Sequence, residues 1–326
     1  MKKYTVVKYS SLHYTIWNKF VSQSKNATFL FHRDFMEYHS NRFEDYSLLI
    51  FDDKENVCAI LPANRVENNV YSHQGLTYGG LVLTQKTKLV EAISIFREIL
   101  SFLKLNGIEN LDVKVLPSIY NDSPADELEY LAFLCEAKLK RRDSLSVINL
   151  EYKKNYSTDR KQAIKKGIKN DLLIKEVESF EEFWNQILIS NLLQKHQTKP
   201  VHSLQEITQL KNKFPKNIRQ FNVYKDSKIV AGTTIFETKN VAHSQYISGN
   251  SEKNKLGSLD ILHDFLITEV FAVKKYFDFG ISNENEGKNI NEGLSYWKES
   301  FGARTIVQSF YQFETKSFEK LNSVFI

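Results

Sequence analysis

The side chains that could do chemistry are concentrated in the last third of the chain. His243 and Gln245 stand two apart in a segment of strand-like alternation, 241–248, which puts both on one expected face. A histidine there, with an ordinary pKa near ~6.5, could relay a proton from an amine. Asp278 falls in a second strand-like run, 276–281, where it could orient a cation or a hydroxyl. Lys298 belongs to a helical segment, 289–301, beside a stripe of Ile290, Leu294, Trp297 and Phe301 whose 3/4 spacing predicts burial. Ser282 and Asn283 follow the carboxyl end of the 276–281 run, the position at which α/β crevices take ligands. Ahead of a helix expected over 258–274, the residues Asn254, Lys255, Leu256, Gly257 and Ser258 form a turn whose amides could meet a phosphate. A plain helix start with Ser258 as N-cap explains the same residues.

Other polar residues are read with two meanings each. His73, Gln74 and Tyr78 precede a Gly79-Gly80 pair that allows close backbone approach and equally well makes an ordinary turn. His196 and His202 flank a segment that could close over a cleft; with no HExxH motif and no cysteine partner they predict no metal site. Arg160, Lys161, Lys165, Lys166 and Lys169 are spaced as one cationic helical face, for a diphosphate or for solvent alone. Cys58 and Cys135 are the only cysteines, which excludes a disulfide scaffold, and their apolar surroundings read as reduced core thiols.

The elements that must position these residues are of mixed α/β type. At 326 residues the chain is expected to hold about two domains. A net charge of +5 is too small for a nucleic-acid footprint, although it favours anionic partners. The first residues lack a secretory leader, and no apolar run approaches the ~18 residues of a membrane span, so a cytoplasmic chain is expected. Strands are predicted at 46–51, 57–66, 69–74, 110–116 and 144–150, with helices at 87–106 and 123–138. A basic helix at 158–170 and two more at 180–195 and 203–214 follow. The second half then repeats the earlier order: strands at 219–225, 228–238 and 241–248, the helix 258–274, a strand at 276–281, the helix 289–301 and a strand at 303–313. Asn69 to Gln74 aligns with Asn240 to Gln245, and Leu111-Asp112-Val113 with Phe277-Asp278-Phe279, which predicts a tandem repeat with domains at 1–152 and 153–326.

This order resembles the acyl-coenzyme A N-acyltransferase (GNAT) fold, and two copies in one chain resemble the FemAB-like family of the cell envelope. The most specific match is Phe277-Asp278-Phe279-Gly280 followed by Trp297-Lys298-Glu299-Ser300-Phe301-Gly302. The segment from Arg160 to Gly167 resembles that family's inter-domain helix, and 195–203 resembles the loop of its polysaccharide-cluster members. The resemblance implies two GNAT-like domains, each a mixed, mostly antiparallel sheet flanked by helices. The first would serve the acceptor and the second the acyl donor, with catalysis by Lys298, His243 and Asp278. It further implies acyl-CoA held at 254–258, and an amine or nucleotide-sugar acceptor between the copies, touching His73, Gln74, Tyr78, His196, His202, Gln245, Ser282, Asn283 and Trp297. The donor turn keeps only the first glycine of the family's Arg/Gln-x-x-Gly-x-Gly/Ala signature. Two alternatives therefore stand beside acyl-CoA: an aminoacyl-tRNA donor, or a binding protein that has lost the donor.

Overall fold

A computed structural model of the chain describes residues 3–152 and 155–326. They divide into two compact units, residues 1–143 with 307–326 and residues 144–306.

In the first unit one sheet pairs β1 (Thr5–Lys8), β2 (Leu48–Phe51) and β3 (Val57–Leu61). The single strand expected over 57–66 is broken at Pro62, which has no N–H to give a ladder, and resumes as β4 (Asn64–Val66) in another sheet. There β4 pairs antiparallel with β5 (Asn69–Ser72). The helix α1 (Leu89–Leu105) buries Ile95, Phe96, Ile99 and Leu103 at 3/4 spacing and ends before Gly107, as its pattern predicts. It leads to β6 (Asn110–Lys114), which runs parallel to β5 with Tyr71 opposite Asp112. The aspartates of the two halves thus face Tyr71 and His243, so the expected alignment of Asn69 with Asn240 is one residue out of register.

The chain passes into the second unit along β7 (Lys138–Asn149), a strand that starts six residues earlier than expected. Next come α2 (Thr158–Lys169) and β8 (Leu173–Val177), an edge strand that sequence reading missed; only Ile174 and Val177 of it are even half-buried. Strands β9 (Ile218–Lys225), β10 (Lys228–Glu237) and β11 (Val241–Gly249) then form an antiparallel meander. The β9–β10 turn puts Asp226 and Ser227 both at positive φ, the geometry that a two-residue hairpin needs. A helical turn, Lys253–Leu256, precedes α3 (Ser258–Phe265), and β12 (Tyr276–Ile281) follows, parallel to β11 and antiparallel to β7. The helix expected over 289–301 is shorter, α4 (Glu292–Glu299), with Asn291 as N-cap. The last strand, β13 (Arg304–Glu314), returns to the first unit and pairs with β6.

The core of the second unit lies between this sheet and α3, where Leu262, Leu266, Phe277, Phe279 and Phe301 are buried together. Each such side chain contributes about 1.5–3 kcal/mol relative to exposure. Against the outer side of α3 lies α2, which presents Arg160, Ile164 and Gly167 at i, i+4 and i+7. The two helices meet at glycines. Gly257 has φ +70°, and a Cβ on it would stand 2.3 Å from the Ala163 carbonyl oxygen; one on Gly167 would stand 2.7 Å from Ile261 Cβ. Gly257→Ala therefore combines left-handed strain of roughly 1–2 kcal/mol with a backbone clash. The melting temperature of this variant, read by calorimetry, is expected to fall by several degrees; unchanged melting would contradict the packing described.

Candidate functional site

Strands β11 and β12 run as a parallel pair only from Val241/Tyr276 to His243/Asp278 and then separate. Two irregularities accompany the fork. In β11, Thr234 of β10 pairs with Tyr246 while Ile235 pairs with Ser244, so Gln245 is a bulged extra residue. In β12, pairing with β7 slips between Asp278 and Ile281, around Gly280 at φ +70°.

The fork opens into a cavity of about 710 Å³ within the second unit. Ser244, Gln245, Ile247 and Ser248 line it from β11, Phe279 from β12, Leu259 and Asp260 from α3, and Leu294, Tyr296, Trp297 and Lys298 from α4. Arg160 of α2, together with Lys253 and Asn254 of the helical turn, completes its polar wall. The Ser244 Oγ and Gln245 Oε1 atoms are buried without a hydrogen-bond partner among the described residues, which leaves acceptor capacity facing this space.

Lys298 is 2% exposed. Its Nζ donates to the Gly280 carbonyl at 3.0 Å and the Ile281 carbonyl at 2.6 Å, at the end of β12. Burial pushes the pKa of the amine down to about 8, partly opposed by the Asp278 charge. The stripe expected beside it is only half realised: Phe301 is buried and Trp297 half-buried, but Ile290 and Leu294 are exposed, because the helix begins at the cavity mouth.

Arg160 departs from the exposed cationic face expected of its helix. Pooled there with four lysines, it is buried, while Lys161, Lys165, Lys166 and Lys169 are exposed. It pairs with Asp260 and donates from Nε to Ser300 Oγ at 2.8 Å, and its guanidinium lies 4.7 Å from the Phe301 ring centre. Trp297 donates from Nε1 to the same Asp260 at 2.9 Å. The spacing of Arg160 with Ile164 and Gly167 was the available signal; nothing in the sequence marked Asp260.

His243 and Gln245 do not share a face, because the bulge intervenes. His243 stands opposite Phe236, whereas Gln245 lines the cavity with Ser244. Instead His243 meets Asp278, its Nδ1 donating to Oδ2 at 2.9 Å, and Asp278 is fully buried. Of the expected donor turn, Asn254 reaches the cavity. Lys255 points to solvent beside Glu252, Leu256 and Ser258 are buried, and Gly257 is packed against α2. Ser282 is buried and Asn283 accepts from the Ser144 amide at 2.6 Å; neither lines the cavity. His202 is buried, bonded to the Tyr246 hydroxyl at 2.7 Å. The side chain of His196 lies outside the described residues. His73, Gln74 and Tyr78 belong to the first unit. There His73 stacks on His39 and burial pushes its pKa down to about 3, Gln74 accepts from Asn64, and Tyr78 donates to Thr28.

Behind Trp297 sits His263, fully enclosed by Phe277, Phe279, Trp297 and Phe301. Its Nδ1 donates to the Leu259 carbonyl at 2.8 Å, and Nε2 has no partner among the described residues.

The sequence matches no protein-family profile and no curated protein. Solved structures do match. FemX aligns over 97% of this chain and 99% of its own at 9% identity, with a TM-score of 0.67. The C-terminal domain of a putative lysylphosphatidylglycerol synthetase from Agrobacterium fabrum aligns over 96% of both chains at 11% identity, with a TM-score of 0.60. A tandem GNAT protein from the clavulanic acid biosynthesis pathway aligns over 96% of this chain and 99% of its own at 12% identity, with a TM-score of 0.54. At these identities the likeness is one of fold: the chain has the FemX-like, GNAT-type fold.

The enclosure of His263 has a pH consequence. Burial pushes its pKa down to about 4, against ~6.5 in an unfolded chain. Below pH ~6.5 the unfolded state takes up a proton that the folded state refuses, so stability falls as the pH drops toward 4, by up to roughly 3 kcal/mol. His263→Phe should flatten the dependence of the denaturation midpoint between pH 6.5 and 4.5. An unchanged slope would show that His263 does not carry it.

Proposed function

We propose that this chain is a transferase that moves an activated acyl group onto an amine of a cell-envelope precursor, with the donor held in the fork of the second unit. The fork with Lys298 at its base carries this reading. An ammonium has three N–H donors; two are taken by Gly280 and Ile281, which leaves one for a substrate oxygen. The incoming amine attacks the donor carbonyl carbon, a C–N bond forms, and negative charge develops on the carbonyl oxygen. Lys298 stabilises that charge from a wall where water is scarce and electrostatic contacts are strong. Collapse then breaks the bond to the leaving group, which departs with the proton lost by the amine. Trp297 and Phe279 supply apolar walls for the acyl group, and Ser244 and Gln245 offer acceptors to the donor or the amine.

Two tandem GNAT-like copies belong to the same reading, the first serving the acceptor. In support, each unit holds a parallel strand pair with an aspartate at its third step, Asp112 or Asp278. The acceptor would be an amino sugar, a nucleotide-sugar or a peptidoglycan peptide. An acyl-CoA donor would lay its phosphates toward Lys253 and Asn254. A second reading, with aminoacyl-tRNA as donor, is favoured by one observation: Gly257 is packed against the Ala163 carbonyl, so the start of α3 is closed by α2. That the structural neighbour with the highest score given above is FemX is consistent with either donor.

The test incubates the purified chain with acetyl-CoA or aminoacyl-tRNA and a panel of amines, and follows product by mass spectrometry. Melting with each donor is followed in parallel, because a ligand that binds only the folded chain raises its melting temperature. Lys298→Ala is expected to lower transfer at least ~10-fold, about 1.4 kcal/mol of transition-state stabilisation, with secondary structure retained. Turnover close to that of the parent chain would remove Lys298 from the mechanism.

A further inference from the structure

Asp278 and His243 lie beside the cavity wall without lining it. Along β12, Asp278 points opposite to Phe279, which faces the cavity; along β11, His243 points opposite to Ser244, which also does. The carboxylate of Asp278 is fully buried and committed twice. Oδ1 accepts from the Gly280 amide at 2.7 Å, closing a turn over two residues, and Oδ2 accepts from His243 at 2.9 Å. The same turn holds Gly280 at φ +70°, where its carbonyl and that of Ile281 leave the ladder and meet Lys298 Nζ. His243 closes the far side: a Cβ on Gly280 would lie 3.2 Å from its Cε1.

We infer that Asp278 and His243 are positioning residues for Lys298, acting through the backbone turn at Gly280. The carboxylate fixes the turn, the histidine holds the carboxylate, and the turn aims two carbonyls at the amine. This rests on the role proposed above for Lys298, yet it can fail separately. The charged and titratable groups around Lys298 are Asp278 on β12 and His263 on α3, both within reach of its charge, with Asp260 on α3, Arg160 on α2, Tyr296 on α4 and Lys253 lining the same cavity. The substitution Asp278→Asn would keep the acceptor for Gly280 and lose the charge. Removing the His243 ring would leave the carboxylate unheld and loosen the turn, and with it the two carbonyls that favour the charged amine.

The experiment measures competitive acetylation of Lys298 by acetic anhydride as a function of pH, quantified by mass spectrometry of its peptide. In the parent chain Lys298 is expected to react with a midpoint well below that of exposed lysines. At pH 7, Asp278→Asn and His243→Ala should each speed its labelling by at least about threefold, since loss of the charge in one and of the aimed carbonyls in the other both move the midpoint of the amine down. Both variants should melt as cooperatively as the parent. Labelling at the parent rate in either variant, or slower labelling in His243→Ala, which would mean that the histidine acts on the carboxylate's charge alone, overturns the positioning role. A parent midpoint in the exposed-lysine range overturns both this inference and the function proposed for Lys298.

Discussion

A parallel strand pair that separates leaves backbone donors and acceptors without partners, and in a protein interior each must find another. That constraint governs the second unit. Past His243 and Asp278, β11 and β12 no longer bond to each other. The chain answers with side chains: Asp278 takes the Gly280 amide and Lys298 takes the Gly280 and Ile281 carbonyls. The amine that would do chemistry is thus also the group that makes the fork tolerable. A lysine is suited to both tasks, since it has three donors and a proton affinity that burial readily lowers.

The first unit meets the same constraint in another way. Its β5–β6 pair also ends, at Ser72 and Val113, but a bridge forms again between Gly79 and Val115, with the Gly79 amide donating to the Lys114 carbonyl at 2.7 Å. The excursion between carries Leu76 and Tyr78, both buried, and its Gln74 and Leu76 carbonyls are bound by Lys114 Nζ. A ladder that reseals pairs its strands again, whereas the one that stays open is satisfied by the side chains of Asp278 and Lys298.

Much of the architecture was legible in local patterns. The 3/4 apolar spacing of α1, the Asp226-Ser227 hairpin and the alternation of β9 to β12 are short-range signals, and those elements form where expected. What escaped depends on contacts remote in sequence. The edge strand β8 is half-exposed and has no strong alternation to announce it. Ile290 and Leu294 fit a buried stripe by spacing, yet both are exposed at that end of the helix. The bulge at Gln245 is invisible in the local alternation, and it parts Gln245 from the face on which His243 meets Asp278.

Arg160 shows how a buried charge can be read as a solvated one. A cation inside an apolar wall is tolerated only when paired and fully hydrogen-bonded. Here Asp260, Ser300 and the faces of Phe301 and Trp297 together meet that demand. Such a pair adds little net stability over a well-packed apolar substitute, so its presence in a cavity wall calls for another reason. Its geometry supplies one. Asp260 also accepts from Trp297, so the Arg160–Asp260 pair fixes an aromatic wall directly beside Lys298 in sequence and in the cavity lining. The buried charges of α2 and α3 therefore orient the surface against which an acyl group would rest, and the close glycine contact between those helices is what brings the charges together.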